Sequence, residues 1–291
     1  MQELLQQLVN GLSLGSIYAL IAVGYTMVYG VIQLINFAHG DVLMVGAYVG
    51  LAAALAGFGL VPSLLLAMLA CALLGVAIER VAYRPLRHAS RLAALTSAIG
   101  VSLFLEYGMM AALTPRTRSY PPLLPDRIYS WGGLRITSKD LLILGTTLVL
   151  VLVLQYIIYR TQTGKAMRAV SFDREAAQLM GVNVNSTIGA TFALGSALAA
   201  AAGMLVGVYF NAVYPLMGLM PGLKAFVAAV LGGIGSVPGA MLGGLLLGMT
   251  EALVSGYGGS MYRDAVAFGI LIFILLVRPT GLLGTGLQEK A

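Results

Sequence analysis

The feature that most constrains this chain is a succession of apolar runs, each near the roughly 20 residues a helix needs to cross a bilayer. The runs fall at 12–33, 41–60, 62–80, 92–113, 140–159, 187–210, 223–235, 237–256 and 263–278. The run 223–235 is too short to cross alone unless the stretch from Pro215 joins it. Eight to ten helices are therefore expected, with one or more broken or re-entrant segments. Only 10% of the residues are charged and 59% are apolar, against about 25% charged in a soluble domain. So few charges cannot cover a water-facing surface, and a mean hydropathy of +0.92 says the same. The predicted fold is all-α, a polytopic transmembrane helical bundle forming one domain over 1–291, with membrane lipid as its solvent.

The net charge of +6 is spread over loops rather than gathered in a patch, which argues against a nucleic-acid partner. In a membrane protein the basic residues instead report topology. Arg80, Arg84, Arg87 and Arg91 follow the third run, and Arg160, Lys165, Arg168 and Arg174 follow the fifth. The loop 114–139 between those runs also holds basic residues, but with Pro115, Pro121, Pro122, Pro125 and the lone Trp131 it reads as an irregular external loop. The segments 81–91 and 160–186, and the chain from Arg278-Pro279, are thus placed in the cytoplasm. The side of the N-terminus depends on whether the first run is broken. No basic residue precedes that run, so it reads as a retained helix rather than a secretory leader. The single cysteine, Cys71, lies in an apolar run and reads as a small core residue.

Small residues recur every four positions: Thr191, Gly195, Ala199, Gly203, Gly207; Ser236, Ala240, Gly244, Gly248, Ala252; Gly11, Gly15, Ala19; and Gly46, Gly50, Ala54. Residues four apart share a helix face. In lipid such faces let backbones approach and gain van der Waals contact. A tightly packed bundle follows.

Against this background the stretch LINFAHGDVL, 34–43, is anomalous. Asn36, His39 and Asp41 interrupt apolar sequence beside Gly40, which is expected to supply backbone freedom. A break inside a membrane protein survives only where backbone is buried or lines a watery cavity. The polar side chains can satisfy the freed backbone, and Asp41 can cap the next helix. The second half holds GGIGSVPG, with Gly232, Gly233, Gly235 and Ser236. One Gly/Pro interruption in each half fits a two-repeat transport fold; ordinary surface turns are the alternative reading. Both sites are candidates for the translocation pathway or its gate. Glu106 and Glu251 also fall within apolar runs, where a lone charge costs at least about 2.5 kcal/mol.

The segment 164–186, GKAMRAVSFDREAAQLMGVNVNS, reads as a handle. Gly164-Lys165 lacks the earlier glycine and following Ser/Thr of a phosphate loop, so any ATP hydrolysis belongs to another chain. Asp173 or Ser171 can cap a short helix running through Arg174, Glu175, Ala176, Ala177, Gln178, Leu179 and Met180. Gly181 ends it. A loop of this kind is too short to fold alone and can dock into a groove on a cytoplasmic partner.

Glu175-Ala176-Ala177 with Gly181 resembles the core of the EAA loop of ABC-importer permeases. The resemblance extends along GLSLGSIYALIAVGYTMVYGVIQLINFAHGD (11–41), ERVAYRPLR (79–87), LTSAIGVSLFLE (95–106), GLKAFVAAVLGGIGSVPGAMLGGLLLG (222–248) and VRPTGLLG (277–284). These look like the permease subunits of bacterial high-affinity branched-chain amino acid importers, and are similar to the first of the two permeases in such systems. The chain departs from the fuller loop motif, for Thr191 stands where many importers begin Ile-x-Leu-Pro, and no such Pro follows.

The resemblance implies a multi-pass protein of the bacterial inner membrane, paired with a second permease, two cytoplasmic ATPase subunits and a periplasmic binding protein. It makes 173–181 the coupling helix, and places ATP and Mg on the partners, with no cofactor in this chain. Cargo would be branched-chain or related neutral amino acids, whose zwitterions suit helix ends. Urea or short amides are the alternative cargo. An ion-coupled secondary transporter using His39, Asp41, Glu106 and Glu251 as a relay is the alternative mechanism. An enzyme has little support, since His39 and His88 lack metal-ligand spacing.

Overall fold

The computed structural model describes residues 2–87 and 89–284. His88, expected to face solvent or headgroups, lies outside the described residues. Eleven helices and one hairpin follow in order: α1 Gln2–Ile32, α2 His39–Leu55, α3 Leu60–Ile78, α4 Arg91–Leu113, β1 Ile128–Trp131, β2 Leu134–Thr137, α5 Ser138–Arg160, α6 Gln162–Phe172, α7 Arg174–Leu179, α8 Val184–Phe210, α9 Leu219–Gly232, α10 Val237–Leu253 and α11 Arg263–Val277. Among the described residues seven helices are long and apolar enough to span: α1, α3 with its extension to Leu86, α4, α5, α8, α10 and α11. Two apolar helices, α2 and α9, are shorter. α9 is the short element expected for 223–235, whereas α2, expected to span over 41–60, ends at Leu55; the fold is an all-α polytopic bundle.

The first helix is unbroken, so its two ends lie on opposite faces of the bundle. Its C-terminal end meets Arg174, on the basic face that the positive-inside rule assigns to the cytoplasm. Its other end meets the hairpin, where Gln6 Nε2 donates to Arg135 O at 2.9 Å and the Arg135 amide donates back to Gln6 Oε1 at 2.8 Å. The loop expected to be irregular thus contains an ordered hairpin, because Gly132 and Gly133 supply two consecutive positive φ angles for a two-residue turn.

The bundle is organised around α1, which packs against α10, α8, α9 and α5. Its apolar stretch is almost wholly inside the protein, whereas α4, α5 and α11 leave most of theirs on its surface. The small-residue stripes find one another. Gly11 and Gly15 on α1 sit so close to Met249 and Leu245 on α10 that a Cβ would fall 2.7 and 2.8 Å from their Cα atoms. Gly46 on α2 abuts Ala200 on α8, and Gly203 abuts Leu43. Without apolar burial as a net drive, close backbone approach of this kind holds helices together in lipid.

Candidate functional site

The segment read as a handle is built by two caps and one left-handed residue. Thr161 Oγ1 accepts from the Gly164 amide at 3.2 Å and starts α6, a helix absent from the sequence reading. Gly164, Met167 and Val170 are buried while Lys165 and Arg168 face outward. That spacing of three was legible as an amphipathic turn pattern. Asp173 then caps α7, accepting from the Ala176 amide at 3.0 Å, as expected. Gly181, at φ +84°, ends the turn, and Val182 N–H donates to Ala177 O at 3.0 Å. Ala177 is buried against the bundle, and Glu175, Ala176, Gln178, Leu179 and Met180 are exposed. Leu179 and Met180, with Phe172, put apolar surface on a face outside the spanning helices.

Between the handle and the spanning helices lies a cavity of about 580 Å³. Arg87 and Arg174 both line it. The Arg87 guanidinium is hydrogen-bonded to the Glu79 carboxylate and donates to Asn185 Oδ1 at 2.6 Å. Burial lowers this guanidinium from its ordinary value, and the Glu79 charge opposes that shift.

The second region is the break after α1. Gln33, not Gly40, takes the left-handed conformation that ends the helix, at φ +56°. Non-helical chain then turns back, and α2 begins at His39. Gly24 faces the His39 ring. Eight residues separate Gly24 from the end of α1, which puts His39 about 12 Å above it at 1.5 Å per residue. Tyr83, buried on a π-helical turn that continues α3, donates to Asn36 Oδ1 at 3.1 Å. His39 stacks on Tyr25 with centroids 4.5 Å apart, and neither ring nitrogen has a well-formed hydrogen bond. Asp41 is not a helix cap: Ala38 holds that position without a side-chain bond, and Asp41 lies in the first turn, accepting from the Ser102 hydroxyl. The Glu106 carboxyl, one turn further along α4, is within hydrogen-bonding reach of Asp41.

The counterpart of this break is not Gly232–Ser236. The chain turns back through 211–218, where Val213 pairs with Arg118, and α9 starts beside α2. A Cβ on Gly40 would fall 2.6 Å from Gly218 O, and one on Gly222 would fall 3.1 Å from Gly40 Cα. Gly40 therefore serves close approach rather than backbone freedom. Two short helices entering from opposite faces present their N-terminal ends to one another at mid-depth. Their positive dipole ends converge there. Gly232, Gly233, Gly235 and Ser236 instead form the turn between α9 and α10 near the cytoplasmic end of α1. Gly233 and Gly235 have φ of +107° and +97°, and Ser236 Oγ accepts from the Gly239 amide at 3.2 Å. Leu282 and Leu283 amides bind Leu231 and Gly232 carbonyls at 2.9 and 2.8 Å. Helix lengths alone do not say which loop is at mid-depth, so sequence pattern chose the richer glycine cluster.

The residue that sequence reasoning missed is Lys224 on α9. It is buried, and Nζ lies 2.9 Å from Glu251 Oε1 on α10 and 2.7 Å from Asp264 Oδ1 on α11. Tyr18 on α1 donates to Glu251 Oε2 at 3.0 Å. An isolated lysine within an apolar helix, in a chain with an unpartnered glutamate in another, was the available signal.

A family model for the permease component of branched-chain amino acid transport systems matches residues 7–275. The chain is 48% identical over 299 residues to the high-affinity branched-chain amino acid transport system permease protein BraD of Pseudomonas aeruginosa, covering 98% of this chain and 97% of that protein. It is 45% identical over 302 residues, with the same coverage, to the permease protein LivH of Escherichia coli K12. A probable LivH of Methanocaldococcus jannaschii is 29% identical, covering 92% of this chain and 89% of that protein. A multi-pass helical bundle with this likeness along its length belongs to the family of branched-chain amino acid transport permease components.

Proposed function

We propose that this chain forms part of the translocation pathway of an ATP-driven importer in the bacterial inner membrane. It pairs with a second, homologous permease, receives branched-chain or related neutral amino acids from a periplasmic binding protein, and is driven by two cytoplasmic ATPase subunits. ATP and Mg belong to those subunits. The likeness to BraD and LivH along nearly the whole chain is the observation that carries the reading.

The geometry supports it. The handle α6–α7 presents Glu175, Leu179 and Met180 outward on the cytoplasmic side, as a docking element must. The facing ends of α2 and α9 suit a carboxylate once they separate. A proton relay through His39, Asp41, Glu106 and Glu251 has poor support. Glu251 is engaged by Lys224 and Tyr18, and Asp41 by Ser102 and Glu106, with no shared partner.

The decisive experiment reconstitutes the complex with its binding protein and measures uptake of labelled leucine and of urea. ATP-dependent leucine uptake is expected. Uptake of urea alone moves the cargo to short amides, and uptake by this chain alone under an ion gradient replaces the mechanism. Glu175→Lys is expected to uncouple hydrolysis from transport while leaving the membrane part folded.

A further inference from the structure

Arg174 belongs by sequence to the exposed handle, yet its guanidinium reaches the membrane part. Nη2 donates to Ile32 O at 2.7 Å and lies 3.3 Å from Val31 O. Carbonyls in the last turn of a helix have no helical partner and form its negative end. The last turn of α1 carries no basic residue of its own. The cation comes instead from the first residue of α7.

Just past these carbonyls the chain changes course. Gln33 is left-handed, the next five residues are non-helical, and His39 opens α2 against α9. Tyr83 holds Asn36 midway along that stretch. On its other side Arg174 is tied to the handle, because α7 begins at it, directly after the Asp173 cap. A tilt of α7 therefore displaces the guanidinium, and the guanidinium grips the last helical carbonyls before the central contact.

We propose that Arg174 is a positioning residue through which movement of α6–α7 reaches the α2–α9 contact. It draws on the C-terminal carbonyls of α1, and residues 33–38 pass the displacement to His39 and Gly40. This rests on the importer reading above. Arg87, lining the same cavity, does something else: it ties the end of α3 to the start of α8 through Glu79 and Asn185.

The test places Arg174→Gln and Arg174→Lys in the complete complex in proteoliposomes. Three quantities are measured: co-purification of the ATPase subunits, ATP hydrolysis with and without loaded binding protein, and solute taken up per ATP. Arg174→Gln is expected to assemble with the ATPase subunits. It should lose roughly 5- to 150-fold in binding-protein stimulation and in uptake per ATP, the usual range of a coupling free energy. Arg174→Lys, which keeps the charge but not the planar fork, should recover part of both. Unchanged uptake per ATP in Arg174→Gln overturns the proposal. Loss of ATPase co-purification also overturns it, by making Arg174 a docking residue. Failure of both variants to yield a folded membrane part reduces Arg174 to a helix cap. A wild-type complex that imports nothing under ATP sinks the importer reading instead.

Discussion

The two short helices meet end to end, yet opposite chemistry holds them. On α2 the anchoring group is an acid, Asp41, which accepts from the Ser102 hydroxyl with Glu106 beside it and no cation bonded to it among the described residues. On α9 it is a base, Lys224, between Glu251 and Asp264, with Tyr18 on the far oxygen of Glu251. The first attachment is a hydrogen-bond cluster onto a peripheral helix, α4. The second is an ion network that ties α9 to α10 and α11, and through Tyr18 to the central α1. Losing the cation of a buried ion pair strands a charge, whereas replacing the Asp41 carboxyl by an amide still leaves the Ser102 hydroxyl an acceptor. The α9 side is therefore the less tolerant of substitution.

The sharpest break of that comparison is Lys224→Met. It leaves Glu251 buried without its cation, and a loss of about 3–5 kcal/mol is expected from precedent for such pairs. Thermal unfolding of the detergent-solubilised protein reads it. Lys224→Met combined with Glu251→Met should restore most of the loss; a double variant no better than the single would show that the pair does more than satisfy itself. Next comes Gly218→Val, which drives side-chain atoms into the Gly40 carbonyl and should cost about 1–3 kcal/mol or more. It acts on both short helices at once, so a stability unchanged from wild type would deny that they touch.

Tyr18→Phe removes a hydrogen bond to a charged group and is expected to cost about 1.5–3 kcal/mol in the same melt. The smallest effect belongs to the α2 side. Asp41→Asn keeps an acceptor for Ser102 and should shift stability by no more than about 0.5–1.5 kcal/mol, the range of an ordinary hydrogen bond. An Asp41→Asn loss as large as that of Lys224→Met would erase the asymmetry.

Local signals were read well. The limits of α7, Asp173 and Gly181, follow from chemistry acting within three residues: a carboxylate that accepts from nearby amides and a glycine free to take positive φ. The small-residue stripes were legible for the same reason, since one helix face is set by spacing alone. The roles assigned to Gly40 and Asp41 were not. Both depend on what lies across the contact, Gly218 for one and Ser102 for the other, and neither partner is near in sequence.

Sequence alone was enough to show that this protein is a multi-pass membrane bundle, which segments are apolar and where α7 begins and ends. These follow from composition, from segment length against bilayer thickness and from short-range capping. Only the tertiary structure decided which loops reach mid-depth, that Lys224 is the partner of Glu251, and that Arg174 turns inward to α1. Those are pairings between residues far apart in the chain, and their energies exist only once the helices have packed.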